Sequence, residues 1–222
     1  MMWLKSSRCV AAALFLCGFL LACSGEDRNG EARTPAPTMT DRSEACGVMD
    51  GPGVTAALEE ITGSPAYVAH SSTGFGEITE GLTREVGVPD EGLRDGGYEM
   101  CVVYESQASS IMTLTITYST ARSYQLTDDG DLPEGSRVYP MGREAHASSD
   151  RAVLFLDCVV PTADGRSTTL VTDVARWGVY ADTGQESAMM TVAHAAAFAL
   201  AGEMGCEDDG GLTEEPDLRP VE

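Results

Sequence analysis

The side chains here that could do chemistry are seven thiols, three imidazoles and a large excess of carboxylates. Four of the thiols, Cys46, Cys101, Cys158 and Cys206, are spaced 55, 57 and 48 residues apart. Zinc sites draw their thiolates from short pairs such as C-x-x-C. These spacings contain none, so no metal site is expected. Four well-separated cysteines suit two disulfides in an oxidising compartment, and three pairings are open. Cys101 and Cys158 fall in apolar, strand-like stretches, whereas Cys46 and Cys206 flank the first and last helical patterns. That placement favours Cys101–Cys158 with Cys46–Cys206. The imidazoles are scattered: His194 lies on the margin of a helical stripe and is expected to be packed and hydrogen-bonded. His146, in Glu144-Ala145-His146, is expected on an exposed loop, and His70 has no partner motif.

The carboxylates offer two constellations. Asp128, Asp129 and Asp131 with Glu134 surround Gly130, and a hard cation such as calcium wants several carboxylate oxygens on one flexible loop. The spacing does not fit the twelve-residue EF-hand loop, and Asp/Gly runs make ordinary turns, so a solvated turn is expected. Asp157 and Asp173 sit among apolar neighbours. A carboxylate buried there needs a partner, which Arg151 or Arg176 could supply. No H-E-x-x-H, G-x-S-x-G, P-loop or G-x-G-x-x-G motif is present. The only lysine is Lys5, which removes Ser–Lys catalysis from the rest of the chain. The expectation is a non-catalytic binding or interaction domain with no catalytic residues and no cofactor. The alternatives are a cell-envelope hydrolase with an unrecognised carboxylate site and a metal-sensing accessory protein.

The N-terminus carries an export signal. Lys5 and Arg8 precede an apolar run from Cys9 to Leu21, too short for the roughly 20 residues of a membrane span and flanked as a signal peptide is. It closes on Leu20-Leu21-Ala22-Cys23, which resembles the lipobox of bacterial lipoproteins. That resemblance implies cleavage after residue 22 and a diacylglyceryl thioether on Cys23, holding the protein on the extracellular face of the cell membrane. Two acyl chains give firmer attachment than a single chain. Residues 23–43 are polar, with Gly, Pro and Thr, and form a disordered tether with an r.m.s. reach of about 25 Å. Without Lys5 and Arg8 the chain keeps 12 Arg against 35 acids, a formal charge of −23. This argues against nucleic acid, whose binding requires a cationic patch, and against lying flat on anionic lipid. The expected partners are the membrane, through Cys23, and an extracytoplasmic protein or small ligand.

The elements that must position these residues form one domain, 44–206. A first helix is signalled by Asp50, Pro52 and the apolar spacing Val54, Ala57, Leu58, Ile61, ending at Gly63 and Pro65. A last helix opens with Thr183 and Glu186 at capping-box spacing. It runs a stripe of Met189, Val192, Ala193, Ala196, Ala197, Leu200 and Met204, a buried core helix rather than a second span. Between them, Met112 to Tyr118 alternates as a half-buried strand. Tyr98–Tyr104 and Ala152–Val160 are apolar on both faces, as central strands are. Thr168–Tyr180 alternates more loosely. Asp164-Gly165 supplies one hairpin turn, and a second hairpin joins the first two strands. The fold class is α+β, a mainly antiparallel sheet of four or more strands packed with an N-terminal and a C-terminal helix. The Gly-rich stretch 64–97 gives no clear pattern. Residues 207–222, with seven acids and one Arg, are expected to be disordered.

The lipobox, the polar tether, Cys46-Gly47 before a helix ending Ile61-Thr62-Gly63-Ser64, and an Ala-rich closing helix ending Gly205-Cys206 together resemble a group of actinobacterial lipoproteins with no assigned activity. Some lipoproteins of this kind look like the photosystem assembly protein PsbP, whose antiparallel sheet is flanked by helices. The resemblance implies that fold and carries over no catalytic residue.

Overall fold

A computed structural model describes residues 46, 52–65, 67–71, 73–86, 94, 96–105, 112–127, 135–159, 167–178 and 184–221. The chain divides into Met1–Ala36 and Pro37–Glu222, and every described residue belongs to the second unit. Cys23, the tether and the acid cluster at 128–134 lie outside the described residues.

In chain order the elements are α1 (Pro52–Thr62), β1 (Tyr67–Ser71), α2 (Phe75–Glu85), β2 (Tyr98–Glu105), β3 (Thr113–Thr120), α3 (Ala121–Thr127), β4 (Arg137–Val138), β5 (Glu144–Ala147), β6 (Arg151–Val159), β7 (Ser167–Trp177) and α4 (Glu186–Met204). The strands make one antiparallel sheet in the order β1-β2-β3-β7-β6-β5-β4. It is two meanders, β1 to β3 and β4 to β7, joined where their last strands pair. The protein is therefore α+β, with helices packed on the sheet. The four strands legible in the sequence are β2, β3, β6 and β7. The hairpin expected at Asp164-Gly165 has its turn outside the described residues, but the strands it joins pair from Arg151↔Ala175 to Val159↔Ser167.

Alternation along the strands sorts residues onto two faces. Leu114, Ile116 and Tyr118 of β3 point toward α4, where the Tyr118 hydroxyl donates to the Ala196 carbonyl at 3.0 Å. Leu154 and Leu156 of β6 and Leu170 and Val174 of β7 share that face, and all are fully buried. α4 packs on β5, β6 and β7, with α1 and α2 against it. All seven residues of its expected stripe are buried, and its alanines leave room for α1 to approach closely. No helix among the described residues is long and apolar enough to cross a membrane.

The disulfides join Cys46 to Cys101 (Cα–Cα 5.5 Å) and Cys158 to Cys206 (4.8 Å). Two bridges form, but the expected pairing of Cys101 with Cys158 is wrong. β3 and β7 stand between β2 and β6, so three interstrand spacings, about 14 Å, separate the two strands. That exceeds the roughly 7 Å limit for bridged Cα atoms. Each central cysteine instead reaches the chain beside the helix layer. α4 ends in a Schellman turn: Gly205 lies at φ 66°, its N–H meets the Gly202 carbonyl, and Cys206 N–H meets that of Ala201. This turn aims Cys206 back at β6.

Two further expectations need correction. Gln185, not Thr183, immediately precedes α4, and it makes no side-chain cap. Its amide instead donates to the Glu60 carbonyl at 2.7 Å, and its oxygen accepts from Arg176 Nη1, tying the helix start to α1 and β7. The acidic tail is ordered as well. Leu212 is buried, Leu218 packs on the core, and Val221 N–H bonds the Val138 carbonyl at 2.8 Å beside the β4 edge. Two leucines in an acidic run anchor it by burial where composition alone suggested solvation.

Candidate functional site

The sheet face turned away from α4 holds a groove of about 220 Å³ lined by Gly96, Thr115, Thr117, Ser119, Tyr124, Arg151, Asp173, Ala175 and Trp177. Its floor follows from strand register. Ala175 of β7 lies opposite Thr115 of β3 on one side and Arg151 of β6 on the other. Asp173 and Trp177 share its face two residues away in each direction, about 7 Å per step. A methyl group at the centre of these four larger side chains leaves the recess.

The charges in the groove are matched. Arg151 donates through Nε and Nη2 to the two Asp173 oxygens at 3.1 and 2.7 Å, and through Nη2 to the Tyr124 hydroxyl at 3.1 Å. Such a two-point fork is the strong geometry for this pair. Tyr124 stands edge-on to Phe155 with centroids 5.6 Å apart. The remaining wall is polar but unengaged: the hydroxyls of Thr115 and Thr117 and the Trp177 indole N–H take no protein partner among the described residues. Trp177 is 65% exposed, unusual for so large an apolar ring.

Tyr124 is placed by a polar knot at the end of the sheet. Thr120 and Ser123 cap α3 reciprocally, each side-chain oxygen accepting from the other residue's N–H at 3.1 and 3.2 Å. Both hydroxyls also reach the Glu85 carboxylate of α2, which accepts from Tyr98 at 2.9 Å as well. Partial burial, and then that bond to Glu85, push the Tyr98 hydroxyl above its ordinary pKa. Gly97, at φ 66°, sits where a Cβ would lie 2.5 Å from the Tyr118 carbonyl oxygen. Only glycine lets this segment lie so close to β3.

Of the carboxylates named from sequence, Asp173 does meet Arg151. Asp157 is solvent-facing, paired with Arg143 at 3.3 Å and accepting from Thr169 at 2.8 Å. Asp173 lies opposite Val153, so four residues of strand, about 13 Å, divide the two acids. That is beyond the roughly 5–9.5 Å of a glycosidase pair. Arg176 is on the other face, donating to the Ile61 carbonyl at 3.4 Å and to Gln185. His70 is exposed on β1. His146 corrects the expectation of an exposed loop: it is on β5, nearly buried, and its Nε2 meets Glu144 at 2.6 Å. His194 is buried as expected and stacks on Phe198. Burial lowers its pKa, a backbone hydrogen bond at Thr213 opposes this, and Nε2 itself has no partner among the described residues. No group of three metal-ligating side chains occurs among the described residues.

Sequence reasoning flagged Arg151 and Asp173 but not the groove. Trp177 on an alternating strand, two residues after an alanine, was the available signal. Tyr124 carried none, because α3 is only seven residues long. No family model matches the chain, and it matches neither a curated protein nor a solved structure.

Proposed function

We propose that the protein is an exported lipoprotein, anchored through Cys23 at the outer face of the cell membrane, that binds a small ligand without catalysis in the groove beside Trp177. The observation that carries this reading is an indole 65% exposed beside unengaged hydroxyls and a charge pair already satisfied. Exposed aromatic rings with a few convergent polar groups are a usual form of ligand site. The lipobox and tether support the anchor, and two disulfides suit the oxidising side of a membrane. The solvent-facing position of Asp157 and the pairing of Asp173 with Arg151 favour the binding reading over a hydrolase built on either carboxylate.

Trp3 and Trp177 are the two tryptophans; cleavage before Cys23 removes Trp3, and Trp3→Phe keeps any uncleaved chain silent, so the protein grown with 5-fluorotryptophan gives one fluorine resonance, from Trp177. Adding an extract of the producing cells' envelope should shift or broaden it, and Ala175→Leu, which fills the groove floor, should abolish the response. A resonance unmoved by the extract would refute the site. Mass spectrometry of the N-terminal peptide tests the anchor separately.

A further inference from the structure

We infer that the groove takes a neutral carbohydrate, one pyranose ring lying over Ala175 with its C–H face on Trp177; this rests on the binding reading above. Three features of the groove select that class.

Charge comes first. Arg151 spends two N–H groups on Asp173 and a third contact on Tyr124. A ligand anion would set a second negative charge beside Asp173, and a ligand cation would have to compete with the guanidinium for the carboxylate. The chain's net charge of −21 adds repulsion against anions. A neutral ligand meets neither obstacle.

The second is the pattern of polar atoms. Thr115 and Thr117 present hydroxyls on one face about 7 Å apart, each both donor and acceptor. The indole N–H adds a donor, and the Tyr124 oxygen a further acceptor. A purely apolar ligand would cover these groups without pairing them. A sugar ring carries hydroxyls around its rim that both give and accept, and so pairs with all of them.

The third is shape. An exposed flat indole at one end of the recess gives the apolar platform that the C–H face of a pyranose requires, while the rim stays wet. At about 220 Å³ the recess is smaller than the roughly 300–1,000 Å³ of drug-sized sites. It suits a single ring, with further sugars running out past Trp177 into solvent.

The test uses the full Trp3→Phe chain in a detergent without a sugar headgroup, so that emission comes from Trp177 alone. The probes are maltotriose, cellotriose and N,N′,N″-triacetylchitotriose. At least one should give a saturable blue shift. Ala175→Leu should weaken it at least tenfold and Thr117→Val, which keeps the fold's packing shape, at least threefold. Asp157→Asn, on the same face but outside the groove, should change affinity less than twofold. If Ala175→Leu fails to fold, Thr117→Val decides. A blue shift that both groove variants leave unchanged overturns the inference. When no trisaccharide acts, chemical deglycosylation of the envelope extract with trifluoromethanesulfonic acid, which cleaves O-glycosidic bonds, settles the matter. Loss of the extract's effect on the Trp177 fluorine resonance supports a glycan of other composition. Survival of that effect overturns the carbohydrate while leaving the binding site standing, and an extract with no effect overturns both.

Discussion

Replacing Cys101 and Cys158 together by alanine removes one partner from each disulfide, since Cys101 bonds Cys46 and Cys158 bonds Cys206. The two bridges span 55 and 48 residues. The loop-entropy relation gives about 4 kcal/mol for each, and hence about 8 kcal/mol for the pair. Native domains hold only about 5–15 kcal/mol in total, so the double variant should be largely unfolded at growth temperature. At roughly 2–4 °C per kcal/mol for a domain of this size, the melting midpoint falls by about 16 °C or more. Cys158→Ala with Cys206→Ala removes one bridge only, and should cost about 4 kcal/mol. Urea unfolding followed by far-UV circular dichroism measures both. Thiol titration under denaturing, unreduced conditions gives an independent reading: the Cys101/Cys158 variant should show two more free thiols than its parent, the Cys158/Cys206 variant none. A Cys101/Cys158 variant that gains no thiol and loses only about half the expected stability would refute the derived strand order, because those cysteines would then be bonded to each other.

Three further outcomes follow. His194 has its pKa lowered by burial from 6.5, so its contribution to stability is intact above pH 6.5 and is lost as pH falls toward the folded-state value. His194→Leu should flatten the urea-midpoint profile between about pH 7 and pH 5; parallel profiles would contradict this. Burial raises Tyr118 far above 10.0 and Tyr98 above it, so both hold stability that is complete below about pH 10 and is lost as the unfolded phenols ionise. Tyr118→Phe should reduce the loss between pH 9 and pH 11.5 in thermal scans, and an unchanged alkaline limb would oppose the assignment. Gly97→Ala, with positive φ and a Cβ against the Tyr118 carbonyl, should cost roughly 2–4 kcal/mol. Gly96→Ala, also at positive φ but with open space around it, should cost about 1 kcal/mol. Equal losses would show that the close approach is not what Gly97 provides.

The parts of this fold that were legible are those where periodicity and burial coincide. Met112 to Tyr118 alternates because one face meets α4, and the α4 stripe repeats because every member is buried. α2 was hidden although Ile78 and Leu82 are fully buried at helical spacing, since glycines at 74, 76 and 81 dilute the signal. β5 has four residues, two of them alanine, and makes no pattern alone. The disulfide pairing depends on strand order, which no local pattern encodes: Cys101 and Cys158 were each placed correctly in a strand, and the insertion of β7 between β3 and β6 separated them. The groove was illegible for the same reason. Thr115, Ala175 and Arg151 are neighbours only through register across three strands, although the match of Arg151 to Asp173 was accessible from the need of a half-buried carboxylate for a partner.

The claim on which the account turns is that the sheet face opposite α4 receives the ligand, and methyl-resolved NMR of the chain labelled at alanine and threonine locates it. With ligand bound, the methyls of Ala175, Thr115 and Thr117 should shift, while those of Ala193 and Ala197, buried in the helix layer, should stay in place. Shifts confined to α4, or to Ala69 on the edge strand β1, with Ala175 unmoved would contradict it.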